Sequence, residues 1–190
     1  GAALAAGNAV LAKPAPQTPL VAALAVDLLW KAGVPRSALQ LLPGDGAVGG
    51  MITSDARIKG VAFTGSTETA LKIRRAMAEN LDPTAPLIAE TGGLNAMLVD
   101  STALPEQAVR DILASSFQSA GQRCSALRCL YVQEDVAHAV QEMLFGAMDE
   151  LALGDPWQLI SDVGPVIDAT AQGNIRDYIA AARAEGRVLR

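Results

Sequence analysis

Short aliphatic strand patterns alternate with amphipathic helical patterns along this sequence, and this alternation limits the fold more than any other feature. It is typical of α/β proteins, in which mostly parallel sheets carry helices on both faces. Strands are predicted at Asn8–Pro14, Leu39–Leu42, Ile58–Phe63, Ala85–Glu90, Asn95–Asp100 and Arg128–Gln133. Helices are predicted to start at Pro19, Gly65 and Pro105, and to cover Val136–Leu151 and Gln172–Ala184.

The bulk properties of the chain speak against several classes of protein. A net charge of −5 disfavours a nucleic-acid-binding surface, which needs clustered Lys and Arg. No apolar run approaches the ~20 residues that a membrane-spanning helix requires. Only 2 cysteines are present, too few for a disulfide framework, so a reducing, cytoplasmic setting is expected.

Both cysteines lie in the stretch SAGQRCSALRC, where their surroundings differ. Cys124 has small and polar neighbours and stands beside Arg123, a setting in which backbone N–H groups and a cation stabilise a thiolate. Cys129 falls among aliphatic residues of a predicted strand, which is typical of an inert core thiol. A zinc site needs about four ligands, and these cysteines with the lone His138 do not supply them, so no metal site is predicted.

Other polar and glycine-rich positions each allow two interpretations. Glu90 ends an apolar strand, and its carboxylate is either a general base or simply a charge that faces water. Gly65 and Ser66 open a helix, where they either bind a pyrophosphate or simply cap the helix. Lys13 follows a strand, where it contacts ribose or phosphate, or is only solvated. Gly44 begins GDGAVGG, either a dinucleotide-binding turn or an ordinary tight turn.

The order of these motifs resembles that of the aldehyde dehydrogenase superfamily, through GNAVLAKPAP, VAFTGSTE, ETGGLN, GQRCSALR and DVGPVID. ETGGLNAMLVD and SFQSAGQRCSALR are most similar to 1-pyrroline-5-carboxylate dehydrogenase modules of bifunctional proline utilization enzymes. The resemblance implies that Cys124 is the nucleophile and Glu90 the general base. It also implies that Lys13 contacts the adenosine ribose of NAD, and that Gly65 and Ser66 contact the pyrophosphate.

Further positions follow from the same resemblance. Ser125 is expected to hold the substrate carboxylate, and Arg123 beside it is also assigned to substrate binding. Gly92 and Gly44 are assigned to the cofactor site, Gly44 as a loop near the adenine. Pro16 departs from the family, which often has an acidic residue there, so the ribose contact is left to Lys13.

The resemblance also implies a reaction and an organisation. The Cys124 thiolate adds to an aldehyde, a hydride passes to NAD, and Glu90 activates water to hydrolyse the thioester. Residues 1–89 are predicted to be the later part of an NAD-binding domain and residues 90–190 the first part of the catalytic domain. The chain is then an internal fragment, expected to be inactive alone. Its parent is expected to form a homo-oligomer and to carry a proline dehydrogenase domain.

Two other interpretations of function stay open at this stage. One is an aldehyde dehydrogenase that acts on a different aldehyde. The other is a non-catalytic module that binds a nucleotide or forms oligomers. Thiol reactivity separates the second from an enzyme, because a catalytic Cys124 should alkylate near neutral pH much faster than Cys129.

Overall fold

The structure is a computed structural model that describes residues 1–189, and Arg190, the last residue of the predicted catalytic part, lies outside them. The described helices are α1 Ala2–Ala5, α2 Pro19–Lys31, α3 Gly46–Thr53, α4 Thr67–Asn80, α5 Pro105–Phe117, α6 Glu134–Asp149 and α7 Ala169–Ala184. The strands are β1 Val10–Ala12, β2 Leu39–Leu41, β3 Val61–Thr64, β4 Leu87–Glu90, β5 Asn95–Val99 and β6 Leu127–Val132. Contacts between residues group the chain into two compact units, Gly1–Thr91 and Gly92–Arg190.

In the first unit, two parallel strand pairs place strand ends and helix starts side by side. β1 pairs with β2, and β3 pairs with β4. α2 begins with Pro19 at its first position, where the missing N–H is not needed. It ends before Gly33, whose φ of +102° is strained for any residue with a side chain. The Trp30 indole then donates to the Leu39 carbonyl at 3.1 Å, which ties α2 to β2.

The second unit is built on the parallel pair of β5 and β6. Helices α5 and α6 pack on one face of this pair because their apolar residues recur at helical spacing. The buried cluster consists of Val99, Val109, Ile112, Leu127 and Val140. Leu98 and Tyr131 are partners across the pair and lie exposed.

The predicted α/β class with parallel strands is therefore confirmed, and the element boundaries differ only at their ends. α7 begins at Ala169, earlier than predicted, because the Asp168 carboxylate accepts a hydrogen bond from the Ala171 N–H at 2.8 Å and caps the helix. The short helix α1 has no counterpart in the predicted elements. Within residues 1–189, no helix is long and apolar enough to cross a membrane.

We expect Val140→Ala to destabilise the second unit, because Val140 is 1% exposed at the centre of its core. Truncation of a buried aliphatic side chain leaves a cavity and costs about 2 kcal/mol. Hydrogen–deuterium exchange of the α6 and β6 amides should report this loss as reduced protection. Val188→Ala is the matched control, since Val188 is 39% exposed. Equal protection in the Val140 variant and the wild type would contradict the packing described for this core.

Candidate active site

Glu90 stands at the carboxyl end of β4, next to the turn that follows β3. The parallel register pairs Thr64 with Glu90, and the Gly65 N–H donates to the Glu90 carbonyl at 3.1 Å. The Glu90 side chain is exposed in this unit. Parallel strands end at the same edge of a sheet, where ligands of α/β proteins gather. The structure thus brings Glu90 and Gly65 together, as neighbouring strand ends require.

Gly65 packs against the Phe63 ring in the turn from β3 into α4. A Cβ placed on Gly65 would lie 2.5 Å from Cζ of Phe63. The Ser66 hydroxyl accepts a hydrogen bond from the Thr69 N–H at 3.1 Å, so Ser66 is the N-cap of α4. Capping, the simpler of the two interpretations of this serine, is therefore observed. The Ser66 side chain accepts from one N–H group only, and the other N–H groups of the first turn of α4 lie beside Gly65.

The first turn of α4 also carries an acidic residue. Lys72 and Glu68 form an ion pair with 2.6 Å between Nζ and Oε1. The hydrogen bond from Lys72, together with its charge, keeps the pKa of Glu68 below its ordinary value. A carboxylate there interacts favourably with the helix dipole, and the ammonium group offsets its repulsion of other anions.

Lys13 joins the end of β1 to the loop after β2. Its ammonium group donates to the Pro14 carbonyl at 2.7 Å and to the Gly44 carbonyl at 2.9 Å. The Lys13 side chain is half-buried, and these two bonds fix its ammonium group between the two loops. An ammonium group has three N–H donors, and one is left after these two bonds.

Gly44 lies against the start of α3. A Cβ on Gly44 would stand 2.4 Å from Cγ2 of Val48. Asp45 caps α3 by accepting from the Ala47 N–H at 2.9 Å. This is the geometry of a tight turn into a helix. In this turn the Gly44 carbonyl accepts the hydrogen bond from the Lys13 ammonium group.

Residues 119–126, the Cys124 loop, connect α5 to β6 through an unusual backbone. Ser119, Ala120 and Gly121 have φ angles of 57°, 55° and 67° in succession. The left-handed conformation costs a residue with a Cβ roughly 1–2 kcal/mol. Such strain persists only where the surrounding structure holds it, and it is concentrated at functional sites. A Cβ on Gly121 would stand 2.7 Å from the Ser116 carbonyl, so this turn also has no room for a side chain.

Hydrogen bonds from outside and within the loop hold it in place. The Arg128 guanidinium donates to the Gly121 carbonyl. The Gln122 amide donates to the Ser119 carbonyl at 3.0 Å, and its oxygen accepts from the Ile167 N–H at 2.7 Å. The Asn95 amide donates to the Cys124 carbonyl at 2.7 Å and to the Ala126 carbonyl at 2.9 Å. Both sides of Cys124 are therefore fixed through the backbone.

The two thiols differ in exposure. Cys124, Arg123 and Ser125 are exposed at the surface of the second unit, whereas Cys129 lies in β6 and is partly buried. His138 is 88% exposed on α6, where it faces Glu142 at 3.7 Å. Among residues 1–189, no group of three or more His, Cys, Asp and Glu is placed to hold a metal ion.

The predicted site residues divide between the two units. Lys13 and Gly44 contact one another in the first unit. Gly65, Ser66 and Glu90 form a second group there, at the ends of β3 and β4. The second unit holds Gly92, Arg123, Cys124 and Ser125. Sequence reasoning did not single out Asn95 or Gln122 as site residues. Gln122 stands within GQRC beside the predicted nucleophile, which is a local signal, whereas Asn95 reaches the loop only through the pairing of β5 with β6.

Cysteine-dependent enzymes use an exposed thiol and a carboxylate that acts as a base. This parallel α/β protein has such a thiol on an anchored loop and a carboxylate at a strand end. The profile described as "Aldehyde dehydrogenase family" matches residues 1–190. This chain belongs to the aldehyde dehydrogenase family. The prediction of the family is thereby confirmed.

Relatives at several levels of similarity accompany this match. The chain is 60% identical to the bifunctional protein PutA of Klebsiella aerogenes over 192 residues, covering 99% of the chain and 15% of that protein. It is 38% identical over 193 residues to the 1-pyrroline-5-carboxylate dehydrogenase of Geobacillus kaustophilus, covering 99% of the chain and 37% of that protein. The chain thus spans well under half the length of these relatives.

Solved structures of relatives share the fold. A mutant of Bradyrhizobium japonicum proline utilization A (PutA) superposes with a TM-score of 0.92 at 55% identity, over 96% of this chain and 19% of that one. A point mutant of Staphylococcus aureus betaine aldehyde dehydrogenase, in complex with NAD+ and with a BME-modified cysteine, gives 0.90 at 30% identity. That match covers 97% of this chain and 37% of the other.

Proposed function

We propose that the full-length polypeptide carrying this sequence oxidises L-glutamate γ-semialdehyde, in equilibrium with 1-pyrroline-5-carboxylate, to L-glutamate in proline catabolism, with NAD as the oxidant. The observation that carries the proposal is the exposed Cys124 on its anchored loop, in a chain similar to PutA and to 1-pyrroline-5-carboxylate dehydrogenase. In this proposal, residues 1–89 contribute to NAD binding and residues 90–190 to the catalytic part.

Cys124 supplies the covalent step. Its thiolate adds to the aldehyde carbon, and the carbonyl oxygen becomes the alkoxide of a thiohemiacetal. Arg123 and Ser125 are exposed on either side of the cysteine, where a guanidinium and a hydroxyl suit the carboxylate of the substrate. This addition requires the thiolate form of Cys124, since the thiolate and not the thiol is the nucleophile.

Glu90 supplies the hydrolytic step. As a general base it takes a proton from water, the resulting hydroxide attacks the thioester carbon, and the C–S bond breaks. The products are the acid and the regenerated Cys124 thiolate. An exposed carboxylate at a strand end has access to water, which this role needs.

The residues of the first unit fit a dinucleotide. Gly65 leads directly into the N-terminus of α4, and a helix N-terminus favours a pyrophosphate. Lys13 keeps one N–H donor for a ribose hydroxyl, with Gly44 beside it. Gly92 is proposed to border the same cofactor. NAD, when bound, would accept the hydride that the thiohemiacetal carbon loses as it becomes the thioester carbon. Its presence in the Staphylococcus aureus relative supports NAD over NADP.

Substrate choice is tested by NADH formation in the full-length polypeptide. We expect glutamate γ-semialdehyde to be oxidised with a kcat/KM at least roughly 100-fold higher than that of an aliphatic aldehyde of similar length, because ionic hydrogen bonds to its carboxylate are lost in the analogue. Comparable values for both would favour an enzyme for another aldehyde. No NADH formation from either aldehyde would favour a non-catalytic module.

The organisation of the full-length polypeptide is part of the proposal. The bifunctional PutA relatives support a proline dehydrogenase domain in the same polypeptide. A homo-oligomer and a cytoplasmic location stay predictions.

A further inference from the structure

We infer that Asn95 is a positioning residue for Cys124, which it holds through the loop backbone from the first position of β5. The inference rests on the proposed function, because it gives Asn95 a role only if Cys124 is the nucleophile. Asn95 is distant from Cys124 in sequence, and it contacts the loop through two side-chain hydrogen bonds.

A β-bulge brings Asn95 to the loop. Asn95 pairs with Leu127 and Ala96 pairs with Cys129, so Arg128 is an extra residue on β6. A bulge of this kind redirects side chains at the end of a strand pair. Here the extra residue donates to the Gly121 carbonyl, and Asn95 on the opposite strand donates to the Cys124 and Ala126 carbonyls. The irregularity thus supplies donors to both ends of the loop.

The chemistry of the contact is specific for a side-chain amide. Nδ2 carries two N–H groups, and each has one carbonyl acceptor, at 2.7 Å and 2.9 Å. Both acceptors are carbonyl oxygens, so the nitrogen and not the oxygen of the amide faces them. Oδ1 then points toward the Gly93 side, where an added Cβ would stand 3.8 Å from it.

The effect on Cys124 passes through its own peptide group. The Cys124 side chain is exposed, so side-chain packing restrains the thiol little, and its position depends on the backbone. The preceding left-handed turn is strained and needs external bonds to persist. Fixing the Cys124 carbonyl therefore fixes the direction in which the sulfur meets an aldehyde carbon, and attack geometry strongly affects rate.

The test compares Asn95→Asp and Asn95→Ala in the full-length polypeptide. Asp has nearly the shape of Asn but no N–H donor, and its carboxylate repels both carbonyls. We expect kcat for semialdehyde oxidation to fall by about 100-fold for Asn95→Asp and by about tenfold for Asn95→Ala, with much smaller changes in KM. Asn174→Asp is the matched control, because Asn174 is exposed on α7, and its kcat should equal that of the wild type.

A second readout does not depend on turnover. Alkylation of each cysteine by iodoacetamide, followed by mass spectrometry, should become slower at Cys124 in the Asn95→Asp variant, since the added charge opposes the thiolate. Alkylation of the partly buried Cys129 reports on the fold and should stay unchanged. Faster alkylation of Cys129 in both Asn95 variants would show a merely structural role and overturn the inference.

The remaining outcomes separate this inference from the proposed function. Wild-type kcat in both Asn95 variants, with Cys124→Ala inactive, would overturn the positioning role alone. Full activity of Cys124→Ala would overturn the nucleophile and the inference with it. A kcat that falls more in Asn95→Asp than in Asn95→Ala, while Asn174→Asp keeps the wild-type kcat, supports both the positioning role and the proposed function.

Discussion

Cys124→Ala should abolish NADH formation from glutamate semialdehyde in the full-length polypeptide, while Cys129→Ala leaves most of it. Without the sulfur no thiohemiacetal forms, and loss of a covalent nucleophile typically lowers kcat by roughly 10⁴-fold or more. Cys124 is exposed on a loop fixed by Asn95, whereas Cys129 lies partly buried in β6, opposite Ala96. The measurement is the initial rate of NADH absorbance at saturating aldehyde and NAD.

The two cysteines are each other's control, since both variants remove one thiol from the same short stretch. Alanine at position 129 removes a small apolar contact, a change that typically costs about 1 kcal/mol of stability and leaves the active site assembled. Alkylation of the unmutated cysteine shows whether each variant remains folded. Equal loss of activity in both variants would contradict the division of roles between these thiols.

Periodicity predicted most of the fold because it reports which residues face a core. The sequence predicts a helix after Ser66 with Ala70, Ile73, Met77 and Leu81 on its inner face, and all of these are buried except Ile73, which is half-buried. Periodicity does not report what covers an apolar face. The helical spacing of Leu20, Val21, Leu24, Ala25 and Leu28 predicts α2, yet Leu20 and Leu24 are 82% and 61% exposed in the first unit.

The residue types and order predicted which side chains stand at strand ends, but not what holds them. The left-handed conformations of Ser119 and Ala120 run against the preference of both residues, so no local pattern predicts them. The role of Asn95 depends on a one-residue bulge in the pairing of β5 with β6, a long-range property. The hydrogen bond from the Lys13 ammonium group to the Gly44 carbonyl is also a long-range property, because it depends on the pairing of β1 with β2.

Glu90→Gln should separate the two halves of the reaction. The amide keeps the shape of Glu90, and the backbone bond from Gly65 to its carbonyl is unaffected. It cannot take a proton from water, so thioester hydrolysis should slow by about 10²–10⁴-fold, the usual contribution of a general base. Hydride transfer precedes hydrolysis, and mixing enzyme with NAD and aldehyde should therefore give a burst of about one NADH per site followed by a slow phase.

The acyl-enzyme that accumulates in this variant gives the assignment its strictest test. Mass spectrometry of the quenched burst should find the acyl group on Cys124, and added hydroxylamine should release it, because a nucleophile that needs no general base replaces activated water. Glu79→Gln is the matched control, since Glu79 is exposed on α4 of the same unit, and its steady-state rate should equal that of the wild type. A slow rate without a burst would place Glu90 before hydride transfer instead. Unchanged turnover would remove it from the mechanism, because hydrolysis would then proceed without its carboxylate.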